Sequence, residues 1–348
     1  MSGHLSNYDA ILKGRMSPRY LLAKRTPVEF SPEMEEKSLW AIQAEMGRKF
    51  FPAPESDIGP GMKSLMDLKV CLADRMMKSC SLCERDCGKD RSAGKEGHCE
   101  VLEPHIASQF MHYGEERVLV PSYTIFFAGC NFECAFCQNS DISTDPKSGR
   151  SVPADLMARR IENLSEVGRA GFKITLVRDW GEKAKNINWV GGEPTPNLAY
   201  VLHVLREART NIPQIWNSNM YMSEEAMQLL GGVIDVYLAD FKYGNDDCAK
   251  RYSKVNNYFK VVTRNHVIAS EQADLLVRHL MLPGHLECCT LPILDWLAKN
   301  TPDALVNIMD QYRPMHRAHK FPELMRTITD EEHQAACQHA RDLGLALV

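Results

Sequence analysis

The 348-residue sequence has no apolar run near the ~18 residues that a transmembrane helix needs, and no early basic stretch followed by an apolar one. Its formal net charge is -4, without a polybasic cluster. It also lacks internal repeats and low-complexity tracts. These absences predict a cytoplasmic protein that binds neither membranes nor nucleic acid.

Cysteine, in contrast, is abundant, with 12 residues in a chain that we expect in a reducing compartment where disulfides are rare. Most of them fall into two groups, which makes metal binding the default interpretation. Cysteines outside the groups are mainly predicted to be small buried hydrophobes. The groups are Cys80, Cys83, Cys87 and Cys99, and Cys130, Cys134 and Cys137.

Short apolar strands alternate with amphipathic helices after Pro121. Six such alternations predict an α/β fold with a parallel sheet and covering helices. Six units are too few for a closed eight-fold barrel, so we expect an open, partial TIM-type barrel, with a doubly wound sheet as the alternative. The predicted strands are 123–128, 187–190, 214–216, 234–239, 275–282 and 305–309, and the helices between them are 154–168, 197–209, 224–230, 246–253, 258–269 and 291–299.

The flanking regions predict three parts: an N-terminal arm (1–120), the barrel (121–310) and a C-terminal tail (311–348) with a helix at 330–343. Helical spacing recurs at 32–50 and 62–79. The following segment, 80–99, is Gly-rich and charged with few large apolar residues, so we expect a bound metal to fold it.

The stretch GCNFECAFCQNSDIS, residues 129–143, contains Cys130, Cys134 and Cys137 just after the first barrel strand. Three thiolates leave one iron of a 4Fe-4S cluster without a cysteine, and an open metal position is typical of catalytic sites. The loop would lie at the carboxyl edge of the sheet, where α/β enzymes have their active sites. A structural zinc site with a distant fourth ligand, or three unrelated thiols, is the alternative.

This C-x3-C-x2-C pattern, with Phe136 before its last cysteine, resembles the radical S-adenosylmethionine (SAM) superfamily, and the resemblance extends through most of residues 121–343. It implies that the three cysteines bind a 4Fe-4S cluster whose unique iron is chelated by SAM. Reductive cleavage of SAM would then give a 5'-deoxyadenosyl radical. Phe136 would pack near the adenine.

Later strand ends extend the resemblance. The stretch VGGEPTPN, with Gly191, Gly192 and Glu193, is similar to the GGEP element that binds the methionine amino group of SAM. Asn217 and Asn219 in WNSNMY offer polar groups for a ribose or carboxylate.

The stretches LADFKYG, with Asp240 and Lys242, and LVRHLMLPG, with Arg278, look like the branch similar to pyruvate formate-lyase activating enzyme. That likeness implies that Asp240 lies near the cofactor and that Arg278 contacts it. Each polar pair could instead be a rim salt bridge. One departure is the long segment 172–185, in which 173–177 could form an extra strand.

The four N-terminal cysteines have the spacing C-x2-C-x3-C-x11-C, and four ligands close a tetrahedral zinc site or fully ligate one cubane cluster. Zinc would be structural, and a second cluster would be an auxiliary electron conduit. The spacing does not separate them. In HLECC, Cys288 and Cys289 could face the site as a hydrogen-atom donor or metal ligand, or be buried.

The resemblance implies a radical SAM enzyme, and in this branch a glycyl-radical-enzyme activase that acts on a partner protein with a reductant such as flavodoxin or ferredoxin. A radical SAM enzyme that modifies a small molecule or peptide is the first alternative. A non-catalytic iron–sulfur electron carrier or scaffold is the alternative from another class. A cobalamin-dependent methyltransferase fits less well, because no separate cobalamin domain can be placed before residue 121.

Overall fold

The computed structural model describes residues 5–49, 58–59, 61–166 and 183–348. The extra strand expected at 173–177, and the 172–185 segment up to residue 182, lie outside these ranges. Over the described residues, no helix is both long and apolar enough to cross a membrane.

Nine strands form a single open sheet in the described part of the chain, in the order β3-β1-β2-β4-β5-β6-β7-β8-β9. From β2 to β9 neighbouring strands are parallel, and β1 is antiparallel to both β2 and β3. The strands are β1 (His105–His112), β2 (Ser122–Phe127), β3 (Arg150–Ser151), β4 (Asn186–Gly191), β5 (Gln214–Ser218), β6 (Val236–Asp240), β7 (Asp274–Leu280), β8 (Leu305–Met309) and β9 (Ala346–Leu347).

Helices follow most of the parallel strands, and the helix Glu224–Leu230 spans the residues predicted for it. The helices are α1 (Ser6–Leu12), α2 (Arg19–Arg25), α3 (Glu36–Lys49), α4 (Leu65–Lys78), α5 (Ser140–Ser143), α6 (Ala154–Glu166), α7 (Leu198–Glu207), α8 (Glu224–Leu230), α9 (Asp246–Ser253), α10 (Tyr258–Gln272), α11 (Leu291–Asn300) and α12 (Asp330–Asp342). The α/β fold with its alternating units is confirmed.

The central strands are buried on both faces because both faces are covered. β5 is buried at every position, and Trp189 on β4 and Trp216 on β5 are fully buried. Burial on both faces is the reason that parallel strands read as continuous apolar runs in a sequence. The buried tryptophans belong to the same core cluster as apolar residues of α4 and α7.

Helix α1 closes the amino-terminal end of the concave face through Tyr8, which is 1% exposed. The Tyr8 backbone N–H donates to Asp274 on β7 (2.9 Å), and its hydroxyl accepts from Asn186 on β4 (2.8 Å). These strands are three places apart, about 14 Å in a flat sheet. Tyr8 thus links the two strands at this end of the sheet. The parallel strands from β2 to β8 follow one another in chain order without a reversal, which favours the partial barrel over the doubly wound alternative.

The sheet also takes in residues that the sequence assigned to the flanks. β1 precedes residue 120 and β9 follows residue 310, and each pairs with a barrel strand. The division at 120 and 310 therefore stays a prediction. The strands β1, β3 and β9 and the helices α1, α2 and α5 were not predicted.

We expect Tyr8→Ala to lower the free energy of unfolding by about 3–5 kcal/mol, because it removes a buried aromatic ring and leaves Asn186 without its hydroxyl partner. The matched change on the same helix is Leu12→Ala, at a side chain that is 40% exposed, with an expected cost below about 0.5 kcal/mol. Urea unfolding followed by circular dichroism measures both. Equal effects of the two changes would contradict the role of Tyr8 at the base of the barrel.

Candidate functional site

The three-cysteine loop begins directly after β2, at the carboxyl edge of the sheet, as predicted. Its backbone is held by the end of α9: the Glu133 N–H donates to the Ser253 carbonyl oxygen (3.2 Å) and the Ala135 N–H to that of Tyr252 (2.7 Å). The loop therefore has a fixed shape set by two separate elements, β2 and α9.

Each cysteine sulfur of this loop has a polar hydrogen-bond partner. The Cys130 sulfur accepts from the Phe132 N–H (3.3 Å), the Cys134 sulfur from the Ser253 hydroxyl (2.9 Å), and Cys137 lies 3.3 Å from the Ser143 hydroxyl. Donors of this kind stabilise thiolates bound to iron.

Burial raises the pKa of the Cys130 thiol well above its ordinary value and that of Cys134 to about 11, although Lys242 opposes the shift at Cys134. Thiols in such a place ionise when a metal supplies the positive charge. Three soft thiolates on one loop therefore fit a 4Fe-4S cluster as its three cysteine ligands.

Phe136 is 4% exposed and packs between two other rings, Tyr243 at a centroid distance of 6.4 Å and Tyr312 at 5.8 Å. These rings come from the loop after β6 and the segment after β8. Aromatic packing thus anchors the loop between Cys134 and Cys137 against two distant parts of the barrel.

Gly191 and Gly192 let the end of β4 lie directly on the cysteine loop. Gly191 has a φ of +133°, and a Cβ at Gly192 would lie 2.2 Å from the carbonyl oxygen of Gly129, the residue before Cys130. The backbone N–H of Glu193 donates to that same carbonyl oxygen (3.0 Å). Glycine is required here because any side chain would push the two loops apart.

The Glu193 carboxylate is 1% exposed and is satisfied by groups of the chain itself. One oxygen accepts from the Thr195 hydroxyl (2.5 Å) and the Ser218 hydroxyl (2.6 Å), and the other from the Asn219 backbone N–H (2.9 Å). Burial raises the pKa of this carboxyl, and these hydrogen bonds oppose the rise. Glu193 thus joins the ends of β4 and β5, and its contact with a SAM amino group stays a prediction.

The two asparagines at the end of β5 are both buried. The Asn219 side-chain amide donates to the Asn131 side-chain oxygen (2.7 Å), so it fixes the cysteine loop from a second side. Asn217 lies on β5 itself. Ligand contacts of these residues stay predictions.

Asp240 and Lys242 form an ion pair, with the Lys242 ammonium nitrogen 2.5 Å from an Asp240 carboxylate oxygen. Burial lowers the pKa of Lys242, but Asp240 and Cys134 outweigh it and raise the pKa overall. Lys242 therefore stays positive and lies within electrostatic reach of Cys134 and Cys137. A fixed cation here favours thiolates at the loop.

Arg278 has acidic partners that the sequence did not suggest. Its guanidinium makes two 2.8 Å hydrogen bonds to Glu116 and also pairs with Glu115, and both carboxylates are almost fully buried. Burial acts to raise the pKa of Glu115, but His112 and Arg278 hold it at about 2. The predicted contact of Arg278 with SAM stays a prediction, and it would require the arginine to share these partners.

The four N-terminal cysteines line one cavity together with Asn131 of the cysteine loop and Pro196 of the GGEP loop. Arg91 donates to the Pro196 carbonyl oxygen (2.8 Å), and Arg85 to that of Asn131 (2.9 Å). The segment at 80–99 thus packs directly on the two loops that carry the candidate site, which the spacing of its cysteines did not indicate.

A further group joins Cys288, which the sequence analysis named as a possible metal ligand, to two residues that it did not single out as ligands. Cys248, His285 and Cys288 each offer a ligand atom within 4.8 Å of the others. Hydrogen bonds with Cys289, His285 and Asn245 lower the pKa of the Cys248 thiol to about 4. Cys248 and His285 are 37 positions apart in the sequence, so no local motif could have joined them.

An open α/β barrel with three thiols at its carboxyl edge defines a candidate iron–sulfur enzyme site, and comparison with known proteins agrees. Residues 124–297 match the family described as the Radical SAM superfamily. The chain belongs to this superfamily, whose members generally catalyse radical reactions, and membership implies a 4Fe-4S cluster and SAM.

One similar protein is "Uncharacterized protein MJ0674" of Methanocaldococcus jannaschii, which is 40% identical over 346 residues and matches 99% of each chain. Among solved structures, a domain of pyruvate-formate lyase-activating enzyme from Bacteroides vulgatus has 17% identity and a TM-score of 0.40, covering 47% of this chain and 98% of that one. Streptococcus suis SuiB bound to precursor peptide SuiA has 10% identity and a TM-score of 0.45, covering 89% of this chain and 61% of that one.

We expect Gly192→Ala to reduce cluster binding, because the new methyl group would displace the Gly129 carbonyl oxygen beside Cys130. The strain should also lower the free energy of unfolding by about 1–3 kcal/mol. Gly47→Ala is the control, since a Cβ at Gly47 meets nothing within 4 Å. Iron and sulfide per chain after anaerobic reconstitution, with urea unfolding, measure both effects. Normal iron content in Gly192→Ala would show that this close contact does not shape the ligand loop.

Proposed function

We propose that this chain cleaves SAM reductively and removes a hydrogen atom from a substrate held at the barrel mouth. The carrying observation is the loop of Cys130, Cys134 and Cys137, which offers three thiols at the carboxyl edge of the barrel. When bound, the cluster and SAM supply the one-electron chemistry, and the protein holds and shields them.

The chain's own residues have defined tasks in this proposal. α9 and β4 fix the cysteine loop, and Lys242 supplies positive charge beside it. Gly191 and Gly192 let the end of β4 pack on the cysteine loop, which brings the GGEP element beside the cluster ligands. Asp240, Asn217 and Asn219 offer polar groups to SAM. Phe136, which lies between Cys134 and Cys137, would pack near the adenine ring of SAM.

We favour a glycyl-radical enzyme as the substrate, which would make this chain an activase, because the open edge of the barrel exposes aromatic residues. Phe110 on β1 is 41% exposed and stacks on Phe126 of β2 at a centroid distance of 5.4 Å. Phe126 and Thr124 lie on the same face of β2. Thr124 is paired with Asn188 on β4, and the Asn188 side chain donates to Glu115 on the concave face of the sheet (3.0 Å). This surface therefore borders the concave face.

Tyr113 and Val118, which are 50% and 43% exposed, lie in the same β1–β2 hairpin. An apolar surface beside an open edge suits an extended segment of a partner protein better than a small polar molecule. A radical SAM enzyme that modifies a peptide or small molecule is the alternative, and a non-catalytic electron carrier or scaffold is the alternative from another class.

We place the protein in the cytoplasm in this proposal. Its reductant is an acidic protein such as flavodoxin or ferredoxin. The segment after β8 is basic, with Arg313, Arg317 and Lys320. The Arg317 backbone N–H donates to the Ala135 carbonyl oxygen in the cysteine loop (2.8 Å). Positive charge beside the cluster site would steer an acidic electron donor to it.

For the N-terminal cysteines we favour an auxiliary iron–sulfur cluster over zinc. Tetrahedral zinc, with Zn–S bonds of about 2.3 Å, brings its thiolate sulfurs to about 3.8 Å from one another. In the described ranges, Cys80, Cys83, Cys87 and Cys99 surround one cavity but are not among the groups with three ligand atoms all within 4.8 Å. Thiols spaced more widely than in a zinc site, in a segment that contacts the cysteine loop, suit a cluster that passes electrons.

We expect Cys134→Ala to abolish 5'-deoxyadenosine formation and to lower bound iron, because it removes one cluster ligand. Cys71→Ala is the matched control, since Cys71 is a half-buried cysteine on α4 outside both groups. The assay uses anaerobically reconstituted protein with dithionite and SAM. If Cys134→Ala retained wild-type turnover, or if cluster-loaded wild type gave no product with or without a glycyl-radical partner, the proposal would be wrong.

We expect Phe110→Ala to weaken productive binding of a protein substrate at least tenfold while leaving substrate-independent 5'-deoxyadenosine formation unchanged, because the ring lies outside the cofactor site. Met325→Ala, at a side chain 51% exposed elsewhere on the surface, is the control. A candidate glycyl-radical enzyme is titrated and its glycyl radical is counted by electron paramagnetic resonance. A concentration dependence equal to that of wild type would argue against the aromatic edge as the substrate surface.

A further inference from the structure

A group of metal-binding side chains lies away from both cysteine groups that the sequence singled out. Cys248 is in the first turn of α9, and His285 and Cys288 lie between β7 and α11. Their ligand atoms are all within 4.8 Å of one another. In tetrahedral zinc sites two sulfurs lie about 3.8 Å apart and a sulfur and a nitrogen about 3.5 Å, so small side-chain adjustments would form a site.

The backbone that carries these ligands has an unusual form. Residues Leu286–Thr290 form a π-helical turn, in which the Thr290 N–H donates to the His285 carbonyl oxygen (3.2 Å). Such turns are rare and are frequent at functional sites. Here the turn brings His285, Cys288 and Cys289 into one short segment facing α9.

The loop after β6 packs tightly on this turn. A Cβ at Gly244 would lie 2.7 Å from the backbone of Cys289. The Asn245 side-chain amide donates to the Cys288 carbonyl oxygen (2.7 Å) and to the Cys289 sulfur (3.6 Å). The same Asn245 caps α9 by accepting from the Cys248 N–H (2.8 Å). One residue thus positions both halves of the group.

The imidazole of His285 is oriented as metal-binding histidines are. Its Nδ1 lies 2.9 Å from the Pro283 carbonyl oxygen, which can only accept, so Nδ1 carries a proton. In the neutral ring this leaves the lone pair on Nε2. The Tyr252 hydroxyl, 3.0 Å from Nε2, has the Glu323 carboxylate as a second partner at 2.7 Å and can donate there instead. A backbone acceptor that fixes the tautomer is the usual support of a histidine ligand.

We propose that Cys248, His285 and Cys288 bind a zinc ion. Thiolate and imidazole ligands in a tetrahedral arrangement are the donor set that zinc prefers. The fourth ligand is either a water molecule or Cys289, whose buried sulfur lies 3.9 Å from that of Cys288. The site does not depend on the radical chemistry proposed above.

This zinc site would tie α9 to the turn before α11 and thereby support the cluster loop. The far end of α9 holds that loop through Ser253 and Tyr252, as described above. Cys248 is five residues earlier, about 7.5 Å along the helix axis. A metal at one end of this short helix therefore restrains the Cys134 side of the loop at the other.

The test measures zinc and iron per chain in protein purified anaerobically, together with zinc X-ray absorption. We expect Cys248→Ser and His285→Gln each to lose about one zinc per chain, and the wild-type spectrum to show both Zn–N and Zn–S distances. Cys71→Ser is the control and should keep all of its zinc. Iron is measured alongside, so failure of the cluster proposal is visible separately.

Zinc held at the N-terminal cysteines is distinguished by Cys87→Ser, alone and combined with Cys248→Ser, since losses at two separate sites add. Cys289→Ser should lower zinc affinity if that thiol is the fourth ligand and leave it unchanged if water is. Hydrogen exchange at Glu133 and Ala135 should be faster in Cys248→Ser. Wild-type zinc content in Cys248→Ser, or a zinc-free wild type with Cys248 and Cys288 joined by a disulfide, would overturn the proposal.

Discussion

The contact on which the candidate site depends is the approach of one backbone to another: Gly192 lies against the carbonyl oxygen of Gly129, where no side chain would fit. Because the end of β4 rests there, Glu193 can donate its backbone N–H to the cysteine loop and place its carboxylate between β4 and β5. Asn219 then reaches Asn131 from the next strand. The geometry of Cys130 thus follows from a contact between backbones, supported by buried hydrogen bonds whose loss would each cost about 1–3 kcal/mol.

Buried charge shapes the interior of the barrel as much as apolar packing does. Glu115 and Glu116 come from the connection between β1 and β2, and Arg278 from β7, so their ion pairs cross the concave face. Removing one partner from such a buried pair is costly, because an unpaired charge stays behind in a poorly solvating interior. The connection therefore helps to hold the curvature that brings the strand ends together around the cysteine loop.

The elements that the sequence predicted are those with strong local patterns of burial and periodicity. The parallel strands from β2 to β8 and the helices after them were predictable because burial on both faces and helical periodicity leave strong local signals, and α8 was placed to the residue. The strands β1, β3 and β9 and the helices α1, α2 and α5 were missed. They are short or half exposed, and some of them are stabilised by partners far away in the chain, as the contacts of Tyr8 with β4 and β7 show.

The sequence by itself determined the superfamily and the candidate ligands, because close cysteine spacing and the GGEP stretch are local patterns tied to one chemistry. Only the tertiary structure decided which partners those residues have. It gave Arg278 two glutamates, satisfied Glu193 with groups of the chain, placed the N-terminal cysteines against the cysteine loop, and gathered Cys248, His285 and Cys288. The physical reason is that a buried charge or thiol interacts with the groups that lie near it in the folded chain. Strand order and curvature of the sheet determine which groups these are, and distance along the sequence does not.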